Sequence, residues 1–543
     1  MSRELAFYDR EDHPWRNPLL ERTAIIGHTT TSACKVWVRV RAAGKYKIVY
    51  SSDKKDFSPL NLSIFDTLKS SDHSPDISKD NDFTGVFELD KLDPDTTYYY
   101  AVLNITDNPP KVEIGKDNLL RFRTKPGDTN EVVFGLFSCH MPYKRNGDLV
   151  NMHMWDSFYE ILNDYKAHFI IGAGDQVYTD GNKKVSIWNW LEKVEDDLPD
   201  DEGEQLKIMI TWYRDIYRGY WGHLPMRKVF RQFPIYMIWD DHEIMDGWGS
   251  YTKEELADHL DTIWEWQNTK RNIELANRMR NAAEKVYEEY QHSHNPTTPK
   301  DDDKPRQFDY SHTCGFCSFY TLDMRGHRDY ERPTDDKVLG KDQLDRFLEW
   351  LDGEEVKNSK IVFIISPVPV VHSSSFIVNT ADLYLLGIAD DFRDEWEHES
   401  NWTERDKILD AVFDFSVNSK KKVIFLSGDV HLGASFKLTR DSHKAAQVYQ
   451  LTSSGITYAK APTTLLKMTV KDNGYLGYFK KDKNGDKIVT HNKTKYNKLN
   501  LCDSNNFALI RAVSDGTHVK VCWDLYGSTD DEGEVIKLKR ITI

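Results

Sequence analysis

The sequence predicts a layered α/β body, with central sheets flanked by helices, preceded by a small all-β sandwich. Three observations lead there. Between about residues 20 and 125, runs such as "SACKVWVRV", "KYKIVYSS" and "TGVFELDKL" alternate apolar with polar residues, the period of half-buried antiparallel strands. From about residue 130 onward, unbroken apolar runs alternate with helix-like stretches such as "DQLDRFLEWLDG", the signature of strands covered on both faces by other elements. Four of those apolar runs also end in the same kinds of polar residue. The expected division is residues 1–128 for the sandwich and 129–543 for the body, with a helical insert at about 251–290.

Taken in order, the opening "MSRELAFYDREDHPWRNPLL" lacks the apolar core of a secretory signal, so a cytoplasmic location is expected. In the sandwich, "LDPDTTYYYAV" spaces Leu92, Pro94, Thr96 and Tyr98 in a way that resembles the fibronectin type III corner, where a tyrosine hydroxyl bonds back to the backbone. In the body, "EVVFGLFSCH" exits at Cys139 and His140, and "AHFIIGAGDQVY" exits at Asp175 and Tyr178. "FPIYMIWDDHE" exits at Asp240, Asp241 and His242, and "KKVIFLSGDVHLG" at Asp429 and His431.

Between Tyr251 and Tyr290, Leu256, Leu260, Ile263 and Trp264, then Leu275, Met279, Ala283 and Val286, recur at helical intervals and predict two helices. They serve either as scaffold or as a lid in which Trp264, Trp266 and Tyr287 wall a pocket. "HNPTTPKDDDKPRQ" reads as a polar surface loop, and the stretch around Asn484-Gly485 as a lysine-rich turn. "CGFC" at Cys314 to Cys317 lacks the strand-to-helix context of a redox motif.

Composition narrows the function classes. A formal charge of -15 over 543 residues argues against nucleic acid as a specific partner. No apolar run approaches the length needed to span a bilayer, and six cysteines are too few for a disulfide scaffold. What remains is the shared position of the polar clusters. If the four strands lie side by side and point the same way, their C-terminal ends gather at one edge, where open α/β sheets place ligands. Carboxylates and a phenol suit hard cations, and a thiolate and an imidazole suit iron or zinc, so the mixture points to a metal centre.

The order Cys, "GDQVY", "WDDHE", "SGDVH", with "LDMRGHRDY", "LGKDQLDRFLEWL" and "LTSSGITYA" between or after them, resembles the alkaline phosphatase D family of calcineurin-like metallophosphoesterases from about Phe134 to Ala459. The resemblance implies that Cys139, Asp175, Tyr178 and His431 hold a first metal, ferric iron, with Asp175 bridging. Asp241 and Asp429 would then bind a second, divalent cation, calcium. His242 would stand just outside, near the leaving group. The family's residue after the cysteine is often glutamine, whereas here it is His140, which together with His242 becomes a candidate proton donor. Arg325 would either clamp a phosphoryl oxygen or form an ordinary strand-end salt bridge.

The implied activity is metal-assisted hydrolysis of a small-molecule phosphate ester, as a phosphomonoesterase, a phosphodiesterase or both. The alternatives are a phospholipase D-like phosphodiesterase and a non-catalytic, metal-stabilised binding protein. Oligomeric state is not legible from the residues.

Overall fold

The computed structural model describes residues 21–543 apart from 58–64, 66, 73, 107, 117–118, 145–147, 182–185, 188–190, 192–197, 265–268, 302–303, 373–392, 459–471, 477–478, 482–486, 490–493 and 530–532. Asn484 and Trp266, and the side chain of Trp264, lie outside the described residues.

The N-terminal strands form two antiparallel sheets. β1 (Thr23–Thr29), β2 (Cys34–Arg39) and β5 (Thr84–Leu89) make one, in the order β1-β2-β5. The other runs β4 (Lys69–Ser70), β3 (Tyr46–Ser51), β6 (Thr97–Asn104) and β7 (Lys111–Ile114), with β8 (Leu120–Arg123) also paired to β6. Their alternation puts Val36 and Phe87 of the first sheet and Ile48, Tyr100 and Val102 of the second into one buried cluster. Tyr98 is buried, and its hydroxyl accepts the Asp93 N–H at 2.9 Å.

The body is built from two stacked sheets. In the first, β9 (Glu131–Phe137), β10 (Phe169–Ala173) and β11 (Ile235–Ile238) run parallel in the order β11-β10-β9. Antiparallel β22 (Asn506–Ser514), β23 (Val519–Ser528) and β24 (Val535–Lys537) extend it, and β25 (Ile541–Thr542) pairs with β23.

The second sheet has the order β12-β13-β14-β15-β17-β16-β21-β18: β12 (Tyr310–Cys314), β13 (Cys317–Thr321), β14 (Ile361–Ile365), β15 (Lys422–Ser427), β16 (Gly433–Thr439), β17 (Gln447–Thr452), β18 (Asn473–Tyr475) and β21 (Lys495–Cys502). β13, β14, β15 and β17 are mutually parallel. A separate pair joins β19 (Phe479–Lys481) to β20 (Lys487–Val489). Phe134 of the first sheet meets Phe319 and Phe363 of the second edge-on, with ring centroids 5.4 and 5.3 Å apart, in the apolar layer between them.

Helices cover the outer faces. Helix His153–Asp164 lays Phe158 and Leu162 on the first sheet, and helices Gly340–Leu351 and Trp402–Ser419 bury Leu344, Phe347, Leu409 and Phe413 against Val362, Val423 and Phe425 of the second. Each such side chain stabilises the stack by roughly 1.5–3 kcal/mol.

The insert forms helices Lys253–Trp264 and Thr269–Tyr290. The second is wedged between the N-terminal sheets and the body. Trp37 of β2 donates its indole N–H to Glu289 O at 2.8 Å, and Tyr290 donates its hydroxyl to Asp82. Tyr287, expected as a possible pocket wall, is fully buried and stacks on Trp239 with centroids 4.4 Å apart. It belongs to the core, because the helix turns its apolar stripe inward.

The loop read as surface is also partly interior. Asn295 and Thr298 are buried, and Asn295 accepts the Met237 N–H at 3.0 Å and donates to Met237 O at 2.7 Å, closing the edge of β11. Cys314 and Cys317 face each other across the β12-β13 hairpin as buried free thiols.

Candidate metal and catalytic site

The exits of β9, β10, β11 and β15 converge, but not from one sheet. The first three strands belong to the first sheet and β15 to the second, so the site lies where the two stacked sheets open at the C-terminal ends of their parallel strands. The side-by-side expectation is corrected on this point, because two buried sheets must stack to cover each other's apolar faces.

Backbone shape matters as much as residue type. Cys139, Asp175, Asp429 and His431 all have left-handed φ, at +55°, +56°, +66° and +52°. Non-glycine residues adopt that region at a cost of about 1–3 kcal/mol each, so surrounding contacts must impose it. The Cys139 N–H donates to Gly174 O at 3.3 Å, the His140 N–H to Asp175 O at 2.8 Å, and the Gly428 N–H to Pro367 O at 2.8 Å. The glycine of each "GD" pair is needed for space: a Cβ on Gly174 would come within 2.8 Å of Asp240 Cβ, and one on Gly428 would run into Ala173 O and Ser138.

Three overlapping groups result, each with donor atoms within 4.8 Å of one another: Cys139, Asp175 and His431; Asp175, Asp241 and His242; and Asp240, Asp241 and Asp429. Asp175 and Asp241 each belong to two. Cys139 Sγ lies 3.3 Å from Asp175 Oδ2, and Tyr178 Oη lies 3.2 Å from the same oxygen and 3.1 Å from His431 Nε2. Burial and then the Asp175 and Asp429 carboxylates hold the Cys139 thiol well above its usual range. Burial, Asp175 and Cys139 do the same to Tyr178. Burial pushes Asp175 up against the pull of His242, with Asp241 and Asp240 adding to the rise, and burial followed by Asp240 and Glu395 raises Asp429.

Asp175 Oδ1, Asp240 Oδ2 and Asp241 Oδ1 are buried without hydrogen-bond partners. Crowded, desolvated acids with orphaned oxygens fit bound cations, which favour the charged form of every one of them.

His242 carries the opposite charge. Its Nδ1 lies 2.7 Å from Asp180 Oδ1, its ring packs on Tyr178 at 4.2 Å, and Nε2 is left toward the acids and Asp246. Burial opposes protonation, but Asp180 and Asp241 outweigh it and raise the imidazole well above its usual value.

Two sequence candidates are enclosed by protein groups. Arg325 is fully buried and binds Asp240, Asp394 at 2.9 Å and Trp248 O at 3.2 Å, with Asp241 at 3.6 Å. It takes the salt-bridge alternative through Nε and Nη1, and it holds Asp241 below the usual carboxylate range despite burial. His140 is enclosed as well: Nδ1 faces Thr457 Oγ1 at 2.7 Å and accepts the Trp155 indole N–H at 3.2 Å, while Nε2 faces Tyr220 O at 3.3 Å. Burial lowers it to about 3, so it is neutral at pH 7 and braces the β9 exit rather than supplying protons.

Sequence reading missed several supports. Glu243 is buried and accepts N–H bonds from Asp175 at 3.1 Å, Gln176 at 2.7 Å and Asp240 at 3.0 Å, so it ties the β10 and β11 exits together. Ser454 Oγ lies 3.0 Å from Cys139 Sγ and accepts the His431 N–H at 2.9 Å. Asp180, two residues past Tyr178 in "GDQVYTD", carried a local signal. Asp394, far away in sequence, carried none.

Comparison with known proteins places the chain in a family and a fold. The family model described as PhoD-like phosphatase matches residues 134–500. Alkaline phosphatase D of Bacillus subtilis is 21% identical over 375 residues, 66% of this chain and 55% of that protein. An uncharacterized protein of Saccharomyces cerevisiae is 29% identical over 118 residues, 17% of this chain and 16% of that protein. The chain therefore aligns with little more than half the length of these relatives at most. A solved structure of PhoD superposes with a TM-score of 0.63 at 16% identity, covering 96% of this chain and 89% of that one, which is a likeness of fold.

Proposed function

We propose that this chain, which belongs to the PhoD-like phosphatase family, hydrolyses phosphate esters at the meeting point of its two sheets. The observation that carries the reading is the trio of overlapping donor groups sharing Asp175 and Asp241, with orphaned carboxylate oxygens turned inward. Cys139, Asp175, Tyr178 and His431 would hold one ion, ferric iron in our reading. Asp241, Asp429 and Asp240 would hold a divalent cation, calcium, with Asp175 shared. Ions bound there would supply charge neutralisation for phosphoryl oxygens and lower the pKa of a water.

The chain's own residues do the rest. Asp180 fixes the His242 ring through Nδ1, which leaves Nε2 as a proton donor for a leaving oxygen. Arg325 and Glu243 hold Asp240, Asp241 and Asp175 in place. We further propose that residues 1–128 form a fibronectin type III-like unit, a reading supported by the Tyr98 hydroxyl bonded to the Asp93 N–H.

The test is elemental analysis of gently purified protein, combined with a panel of phosphomonoesters, phosphodiesters and phospholipids. The expected result is stoichiometric iron with a second cation and hydrolysis of monoesters, diesters or both. Bound metal without turnover of any ester would favour a binding protein instead. Cleavage of phospholipids alone would favour the phospholipase D-like alternative.

A further inference from the structure

A phosphate ester is a cluster of acceptor oxygens, so a site that binds one needs donors. The three donor groups are rich in carboxylates, which as anions only accept. Cys139 and Tyr178 are turned to Asp175, and Arg325, fully buried, has its Nε and Nη1 bonded to Asp240, Asp394 and Trp248 O, with Nη2 3.6 Å from Asp241. One further polar side chain packs against these groups through its ring.

Tyr458 lies on the loop that leaves β17, and that loop is fastened to both sheets. The Ser453 N–H donates to Ser427 O at 3.0 Å, the Ile456 N–H to Ser138 O at 3.1 Å, and the Met141 N–H to Thr457 O at 2.7 Å. Asn506 brackets Ser454, donating to its carbonyl at 2.6 Å and accepting its N–H at 3.2 Å. The Tyr458 ring lies flat on His431, with centroids 3.5 Å apart and planes 18° from parallel, and 5.7 Å from the Tyr178 ring. Unlike Tyr178 and Tyr220, both buried, Tyr458 is partly exposed. Its hydroxyl makes no hydrogen bond among the described residues, and the ionisable groups acting on it are His242, Cys139, Asp246 and Asp175.

We propose that Tyr458 is a substrate-contacting residue, whose ring holds His431 in place and whose hydroxyl donates a hydrogen bond to an oxygen of the bound phosphate ester. This rests on the phosphoester reading above. A phosphoryl group over the acids would then meet two donors from the protein, His242 Nε2 and Tyr458 Oη. The ring and the hydroxyl do separate jobs, so two substitutions separate them.

Tyr458→Phe keeps the ring, and Tyr458→Leu removes it. Calorimetric titration of the metal-replete protein with inorganic phosphate, alongside metal analysis and ester kinetics, reads both jobs. Tyr458→Phe is expected to keep wild-type metal content and thermal midpoint while weakening phosphate binding and kcat/KM about 10- to 100-fold, the worth of a hydrogen bond to a charged group. Tyr458→Leu is expected, in addition, to lose metal from the site containing His431, a loss that the Phe variant does not share. A Phe variant that binds phosphate and turns over esters like wild type would overturn the hydroxyl's role, and a Leu variant with full metal content would overturn the ring's. Wild-type protein that binds no phosphate and cleaves no ester would overturn the phosphoester reading itself.

Discussion

At the scale of the residue, Asp175 is the position on which most depends, because its carboxylate belongs to two donor groups and its strained backbone is held by the β9 exit and by Glu243. Asp175→Asn preserves size and hydrogen bonds while removing the shared charge. It is expected to lower both metals and to cut kcat/KM by more than the ~10–100-fold typical of a group one step removed from the ions. Elemental analysis beside kinetics checks it, and retention of both metals would show that Asp175 is not shared.

His242 differs, since only its Nε2 side faces the acids. Asp180→Asn removes the partner that orients and charges the ring. The expected outcome is near-normal metal content with a fall in turnover of about 10–100-fold, steepest for alkyl esters with poor leaving groups. Equal losses on activated aryl esters and alkyl esters would place His242 among the ligands instead.

At the scale of the element, the helix Thr269–Tyr290 shows how the same apolar stripe can be read two ways. Its spacing predicts one buried face but not what covers it. Leu275, Met279, Ala283, Val286 and Tyr287 all point into the core, and Tyr290 reaches Asp82 of the N-terminal sheets, so this helix is an internal brace. Tyr287→Ala is therefore expected to cost about 3–5 kcal/mol in urea unfolding, the price of a large aromatic cavity, while leaving the ranking of small against large esters unchanged. A changed ranking with unchanged stability would restore the lid.

At the scale of the whole molecule, a buried ion cluster joins three regions. Asp82 accepts from Arg39 at 3.1 Å through both carboxylate oxygens and from Arg218 at 2.5 Å, as well as from Tyr290. Asp82→Ala removes the carboxylate that two buried guanidinium groups share, although Arg218 keeps Asp215, and is expected to destabilise the fold by about 3–5 kcal/mol.

Acid sensitivity follows from the buried and half-buried histidines. Burial lowers His28 and His294 to about 3, and His168 and His223 to about 4, all from 6.5. The unfolded chain binds these protons first, so their contribution is complete above about pH 6.5 and is lost as the pH falls toward the folded values, by about 1.4 kcal/mol per pH unit for each group. Asp82, held below the usual carboxylate range by Arg218 and Arg39 against its burial, adds a further loss once the pH drops through that range. Urea midpoints measured from pH 7 to pH 4 should fall steadily, and a flat profile would show that these groups titrate normally.

The strands, their buried or half-buried character and the polar residues at their ends were legible in the sequence, because apolar periodicity and glycine-acid turns are local properties. Cys139, Asp175, Tyr178, Asp241, His242, Asp429 and His431 could be named as neighbours for that reason, and the structure brings them together. What each residue faces was decided only by the tertiary structure. Stacking two sheets, rather than lining the strands up in one, set β15 opposite β9, β10 and β11. It enclosed His140 in aromatic rings, turned Arg325 onto Asp240 and Asp394, and placed Tyr458 flat on His431. Those contacts join residues tens to hundreds of positions apart. Their geometry depends on which faces the packing buries together, and no single run of residues carries that information.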